Sequence, residues 1–403
     1  MDATTQPNKA YITKTRLGVL LVSSMGMASL AITPSYSAIA QNFHLSNTAV
    51  QMLTSLPNLF MMIAGLVMGK VTAGKINLKT LTTIMIILIC LGGFAPLFYH
   101  TSFAFLLVCS CLVGFGQGAC TNLGQVLIAK ILPAKERQST MGLTTTFTNI
   151  GGIVFIQGGG MLAASSTWVA NYWIYVFSAL VLVCVLALLP LNPLLVDGGE
   201  DAAEKATEVK GSIKLNKYVF YCAGWAFCTM LLNNVLNNNI SLFIASQKLG
   251  STSQAALTST ISLIGGMLCG FVVGAIGKKF KYSSIALSFL LYGLSYLVVG
   301  YATNLAMAFV GSFVVGAAMS VAMGQFAYLI SVAVDKNSTS MALGVYGAIN
   351  PIGGVVSPFV INGLTAATGL NAFVIGGILA LVLAVICLAG QFQKHLVQFA
   401  SEK

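Results

Sequence analysis

Acidic side chains are scarce in this chain: Asp and Glu number nine in 403 residues, and charged residues of both signs make up only 7%. Soluble domains carry roughly a quarter charged residues, so a water-soluble fold of this composition would lack the charge to stay dispersed. Histidine is rarer still, at three, and none lies near a cysteine at metal-ligand spacing. The nine cysteines form no CxxC pair and all fall inside apolar runs, where thiols behave as small hydrophobes. Phosphate-loop and dinucleotide signatures are missing as well, because the glycine runs sit inside apolar segments and precede no suitable strand. These absences exclude a soluble enzyme, a disordered chain, direct ATP drive and a nucleic-acid partner, and they imply neither metal nor cofactor.

What the chain has is apolar length. Hydrophobic residues account for 57% of it, with a mean hydropathy of +0.88. A membrane-spanning helix needs about 20 mostly apolar residues. Twelve uncharged windows meet that need, at 17–40, 48–69, 81–99, 103–129, 141–164, 171–195, 218–244, 255–276, 283–302, 305–333, 342–364 and 372–391. The composition predicts an all-α polytopic membrane protein, since lipid offers no partner to open backbone groups.

Charge placement orients it. Nineteen of the twenty Lys and Arg residues, and all nine acidic ones, fall in the termini and one alternate set of loops, leaving only Lys248 in the opposite set. The positive-inside rule then puts both termini and the central loop in the cytosol, across a plasma membrane. Residues 1–16 form a polar cytosolic tail, too long and too polar for a cleaved signal peptide. The mixed-charge stretch 196–217 reads as a flexible linker between two six-helix bundles, 17–195 and 218–391, with 392–403 as a second cytosolic tail.

The two bundles look like copies. His44-Leu-Ser-Asn-Thr aligns with Lys248-Leu-Gly-Ser-Thr and Leu53-Thr-Ser with Leu257-Thr-Ser, both at an offset of 204, and Ile150-Gly-Gly aligns with Ile352-Gly-Gly at 202. The second span ends in Gly65-Leu-Val-Met-Gly69-Lys70-Val-Thr-Ala-Gly74-Lys75-Ile-Asn-Leu-Lys79, echoed after the eighth by Gly270, Gly274, Lys278, Lys279 and Lys281.

Two six-helix halves, a cytosolic central loop and these basic glycine-rich loops resemble the major facilitator superfamily. The resemblance implies two pseudo-symmetric bundles whose first, fourth, seventh and tenth helices line a central cavity, working as a monomer. It also implies a gate at Gly65, Gly69, Lys70, Lys75 and Lys79 and its counterpart at Gly274, Lys278 and Lys279. The Asp that family members usually carry there is absent, with Ala73 and Gly74 in that region. Gly114 stands where drug:proton antiporters of the family place an Arg. The exporter motif is degenerate too: Gly151 and Gly152 come without proline, and Gly353 and Gly354 precede Pro358. These glycines, with Pro34, Pro57, Pro351 and Pro358, are candidate packing and hinge positions.

No Asp, Glu, His, Lys or Arg lies at the centre of any window, so a buried-carboxylate proton relay and embedded acid–base chemistry both lack a candidate. Neutral polar groups remain. Asn233/Asn237 and Asn234/Asn238 are i,i+4 pairs, each sharing a helix face. The offset of 204 relates Asn233 and Asn237 to Ser29 and Thr33. The fourth helix offers Gln117, Asn122 and Gln125, and the tenth Ser320, Gln325 and Tyr328. These residues either line a hydrogen-bonding cavity or join helices to one another. The first reading predicts a secondary transporter of a small neutral or zwitterionic solute. Its rival is a multidrug exporter using Met25, Met27, Met61, Met62, Met319 and Met323, and a non-transporting receptor or scaffold is a more distant third.

Overall fold

The computed structural model describes residues 9–72, 77–132, 134–190, 216–334 and 339–401. Among them there is no strand. The first half comprises α1 (Ala10–Asn42), α2 (Asn47–Val71), α3 (Leu78–Phe98), α4 (Phe103–Ile131), α5 (Leu143–Ser165) and α6 (Trp168–Leu188). The second comprises α7 (Lys217–Ser246), α8 (Thr252–Gly270), α9 (Ser284–Gly300), α10 (Leu305–Ala333), α11 (Thr339–Thr368) and α12 (Ala372–Ala389). A short helix, Val273–Lys279, continues α8 after a bend of 62°. A last helix, α13 (Phe392–Ser401), occupies most of the expected C-terminal tail. It is docked on the second half: Leu396 is fully buried, and Gln393 donates to the Lys281 carbonyl (3.0 Å) and Ser284 Oγ (2.7 Å). The expected N-terminal tail is likewise helical from Lys9. Most of the expected linker, 196–215, lies outside the described residues.

Side chains at the loops decide where helices start. Ser46, Asn77, Ser102, Asn216, Ser251, Asn304 and Asn371 each accept a backbone N–H from the first turn that follows, and Ser251 with Gln254 forms a full capping box. The repeat is visible down to a single dihedral. His44 and Lys248 both sit at positive φ, 51° and 53°, just past the ends of α1 and α7. Leu45 N–H then reaches back to the Ala40 carbonyl (2.9 Å), as Leu249 N–H does to Ile244 (3.0 Å). Each is the closing bond of a helix C-terminal cap, built twice at the same offset.

Each half buries its own apolar core, one running from Val19 to Leu189 and the other from Val219 to Leu396. The pairing of helices is also duplicated: α2 on α4, α3 on α4, α1 on α5 in one half; α8 on α10, α9 on α10, α7 on α11 in the other. Outward faces carry Leu91, Val108, Leu180, Val183, Val310 and Val385, all more than half exposed, which suits them to acyl chains. Because lipid tails are as apolar as these side chains, helices associate by close packing rather than by escape from water. Gly151 and Gly353 show what that demands. A Cβ on Gly151 would run into the Ser24 carbonyl, and one on Gly353 into the Phe227 carbonyl. At the start of α6, Trp173 is exposed, whereas Trp168 packs on Phe43 and His100 and Tyr172 is buried.

The halves differ at their first helices. α7 is a continuous α-helix, but α1 leaves the α-helical path at Met27 (φ −132°, ψ 19°) and runs as a 3₁₀-helix over Ser24–Ser35. The break falls seven residues before Pro34, not at it, while α2 and α11 pass through Pro57, Pro351 and Pro358 as helix. A 3₁₀ run of this length leaves carbonyls poorly served by its own N–H groups. Other helices supply the donors. Thr148 Oγ1 donates to the Ser23 carbonyl (3.0 Å), Gln117 Nε2 to Gly26 (2.8 Å), Tyr175 Oη to Ala28 (3.0 Å), Asn171 Nδ2 to Ala31 (2.9 Å) and Ser241 Oγ to Pro34 (2.5 Å). Pro34 has no N–H for the Leu30 carbonyl, and Thr33 Oγ1 takes it instead (2.8 Å).

Tyr175→Phe removes one of these donors at constant shape. It is expected to lower stability by about 1 kcal/mol, seen as a lower unfolding temperature of the purified protein in detergent. The half-exposed Tyr99, changed to Phe as a control, is expected to leave that temperature unchanged.

Candidate functional site

Between the halves lies a cavity of about 720 Å³. α1 contributes Gly26, Met27, Ser29 and Leu30 at its break, and α7 contributes Met230, Asn233, Asn234 and Asn237. Gln117 enters from α4, and Met319, Ser320 and Met323 from α10. Three further helices take part. α2 supplies Asn58 and Met61; α5 supplies Thr145, Thr146 and Asn149; α8 supplies Ser259, Ser262, Leu263 and Met267. None of the described lining residues is ionisable.

Of the eleven residues expected at a cavity, Ser29, Gln117, Asn233, Asn234, Asn237 and Ser320 line this one. The other five lie elsewhere, each for a physical reason. Thr33 is buried and committed to Leu30. Asn122 donates to the Gly118 carbonyl (2.9 Å) and packs against Gly65, in the α2–α4 contact. Gln125 lines a separate small pocket. Gln325 lies over Gly277 and donates to the Val273 carbonyl (3.4 Å), holding the bend after α8. Tyr328 is exposed, outside the cavity wall. Asn58, Ser259, Ser262 and the α5 residues went unread in the sequence. One signal for them existed: the offset of 204 relates Asn58 to Ser262, one neutral polar group per half.

Gln117 faces the cavity but is largely occupied. Its Oε1 accepts the Ser29 N–H (2.8 Å) while its Nε2 donates to Gly26, so one amide spans the break in α1. Asn233 and Asn237 are the more available groups on α7, both partly exposed where Asn234 is buried. Asn234 Nδ2 is turned back to the Met230 carbonyl (2.9 Å) and, with Asn58, abuts Gly354. The thioethers of Met27, Met61, Met230, Met267, Met319 and Met323 form the soft part of the wall.

Above this wall the halves are latched together by neutral groups. Gln51 is fully buried and donates Nε2 to the Asn238 carbonyl (3.0 Å) and Asn239 Oδ1 (2.9 Å), while its Oε1 accepts Asn362 Nδ2 (2.8 Å). Thr54 donates to Asn238 Oδ1 (3.1 Å) and also meets Tyr36. Asn238 and Asn239, near the outer end of α7, are buried in this seam. On the α5–α8 side Thr260 donates to Gln157 (3.3 Å), at the π-helical turn Val154–Gly158. These bonds all lie toward the His44 and Lys248 loops. In the other direction the lining extends to Gly270, Phe271 and Val273, where Phe271 is 82% exposed, so the cavity opens at that end.

Some of the remaining motif positions lie toward that end and others pack between helices. Gly69 and Lys70 end α2, and Lys75 lies outside the described residues. Lys79 caps α6 by donating Nζ to the Leu186 carbonyl (2.6 Å). Gly274 has open space around it, and Lys278 and Lys279 form the last turn of the short helix after α8. Gly152 packs on Met27, and Pro358 follows Ser357, whose hydroxyl donates to the Leu231 carbonyl (2.8 Å). Gly114 lies against Pro57, and a Cβ there would approach the Pro57 carbonyl oxygen to 2.5 Å, leaving no room for a longer side chain.

The family model of the Major Facilitator Superfamily matches the chain twice, over residues 17–236 and 222–394. The chain belongs to the major facilitator superfamily. It is therefore a multi-pass membrane transporter and not an enzyme. Among solved structures, a bacterial homologue of the human lysosomal transporter Spinster, inward-facing and unoccupied, superposes with a TM-score of 0.75 at 17% identity, covering 98% of this chain and 99% of that one. The nucleoside transporter NupG follows at 0.74 and 13% identity, covering 93% and 99%. The inward-open xylose transporter XylE of E. coli gives 0.73 and 14%, covering 94% and 96%. At such identities the likeness is one of fold. No curated protein sequence matches the chain.

Removing Gln51 cuts three bonds of the latch at once. Gln51→Leu is expected to raise, several-fold, the labelling of a Ser29→Cys reporter by a membrane-impermeant maleimide confined to the His44 face. Unchanged labelling relative to the reporter alone would show that the latch does not hold that face shut.

Proposed function

We propose that this transporter moves a small neutral or zwitterionic organic solute across the plasma membrane by alternating access, without ATP, as a monomer with both termini in the cytosol. The observation that carries this reading is the large cavity between the halves, whose described lining combines amides, hydroxyls and thioethers with apolar side chains such as Leu30, Leu263 and Phe271 and holds no charged residue. A solute with a net charge would lose its hydration there without meeting a counter-charge, which is costly in a low-dielectric site. Neutral hydrogen-bonding solutes recover their lost water bonds from Asn233, Asn237, Asn58 and Asn149. Zwitterions balance their own charge and tolerate the same wall. The cytosolic assignment of the open end rests on the basic loops, so the conformation described is the inward-facing one.

The six methionines support a second reading, a multidrug exporter, since flexible thioether walls accept varied shapes. A panel of dyes and antibiotics on an overexpressing strain separates the two: broad resistance supports export, and a single responsive solute supports a dedicated carrier.

The direct test begins with thermal unfolding of purified protein against a panel of neutral, zwitterionic, cationic and anionic metabolites. A ligand of the folded state raises the midpoint by mass action. Neutral or zwitterionic compounds are expected to do so, and Asn233→Leu with Asn237→Leu to weaken the apparent affinity by about tenfold or more, the effect of losing one or two buried hydrogen bonds. An unchanged affinity in a folded double variant would remove these residues from the site. In proteoliposomes loaded with the responsive solute, an imposed pH gradient is expected to leave the flux unaltered. Strict dependence on that gradient would overturn a mechanism that has no titratable group among the described residues of the cavity.

A further inference from the structure

Gln125, set aside by the central cavity, lines a second, water-sized pocket of about 40 Å³ with Ser23, Thr121, Thr144 and Thr148. Three helices meet there: α1 just before its break, α4 and α5. Three of the five side chains have their hydroxyl protons already committed to the backbone. Ser23 Oγ donates to the Val19 carbonyl (3.1 Å), Thr121 Oγ1 to the Gln117 carbonyl (3.0 Å) and Thr148 Oγ1 to the Ser23 carbonyl (3.0 Å). A hydroxyl that has given its proton away offers only lone pairs to whatever adjoins it. The pocket therefore presents acceptor oxygens, to which the Gln125 amide oxygen can be added.

Its location has the same polarity. Ser23 ends the α-helical part of α1, so the pocket adjoins the negative end of that segment's dipole. Half-helix C-terminal ends with irregular backbone are where transporters coordinate small cations. Gln117, Thr121 and Gln125 follow one another at i, i+4 and i+8 on one face of α4, the face that borders the cavity at Gln117. Thr121 and Gln125 are exposed, so the pocket is accessible from the protein surface.

We propose that this pocket is a binding site for a monovalent alkali cation, sodium, held by neutral oxygens of α1, α4 and α5. No carboxylate lines it among the described residues, which disfavours calcium and magnesium, both of which draw on carboxylate ligands. A cation here pulls α4 and α5 toward the break in α1, whose next turn carries Met27, Ser29 and Leu30 of the solute cavity. Occupancy thereby links an ion to the shape of the solute site in a protein without a cavity carboxylate. That coupling role rests on the transport reading above; the binding itself does not.

The test uses the purified full-length protein in detergent and needs no solute. Saturable binding of radioactive sodium is expected, displaced by unlabelled sodium chloride and not by choline chloride, together with a higher unfolding temperature in sodium than in choline at equal ionic strength. Thr148→Val and Gln125→Leu are each expected to weaken sodium affinity by about tenfold or more, as for loss of one charge-assisted contact, while Thr148→Ser keeps the oxygen and wild-type affinity. Absence of saturable sodium binding in the wild-type protein overturns the proposal and leaves the pocket as a water site only. So does equal affinity in folded Thr148→Val and Gln125→Leu variants. Either failure leaves the solute cavity standing, and failure of the Asn233 and Asn237 variants to affect solute binding leaves the sodium site standing.

Discussion

Backbone carbonyls freed from a helix inside a membrane must find donors, and in this protein that constraint acts most strongly on α1. Its 3₁₀ stretch carries Gly26, Met27, Ser29 and Leu30 of the cavity wall, and donors arrive from α4, α5, α6 and α7. Each unpaired carbonyl at this depth would cost on the order of 1–3 kcal/mol, so the break exists only because its neighbours are placed to serve it. The arrangement fixes where the first half packs. It also explains why Gln117, Thr148, Asn171 and Tyr175, scattered over three helices, converge on one short stretch of chain.

The partner half meets the same cavity with an intact helix. α7 offers amides from a regular surface, whereas α1 offers a kink held by other side chains. Duplication thus supplies the scaffold, down to matched positive-φ residues after α1 and α7, and the divergence falls at the site. Between the halves the contacts are hydrogen bonds of neutral groups, which inside membranes average about 0.6 kcal/mol each. A seam of a few such bonds is strong enough to favour one closed face and weak enough to be exchanged for another. Acidic partners for the lysines of the motif loops are scarce, since Glu136 is the sole acidic residue in the described stretches.

Much of the fold was legible because the signals were large. Twelve uncharged windows correspond to ten long apolar helices, one bent pair and the shorter Ser284–Gly300. The limits of α1 were not legible: no local residue announces a break at Met27, and the visible proline lies seven residues further on. At the site, Asn233 and Asn237 were readable because amides recurring every fourth residue in an apolar helix demand an explanation. Asn122 has the same chemistry and a different fate, since Gly65 across the α2–α4 contact leaves room for it there. Gln325 likewise serves a bend in α8 that only the folded chain possesses.

Composition and charge placement determined the class, the number of spans and the absence of Asp, Glu, His, Lys and Arg from the centres of the spans, because hydration energies act on each residue wherever it ends up. The constant offset between matching segments gave the duplicated halves. Which polar side chains face the solute, which satisfy the broken helix and which latch the halves was decided by tertiary structure. An amide or hydroxyl inside a membrane is equally at home in any of the three, and its role is set by the backbone group that packing brings within hydrogen-bonding reach.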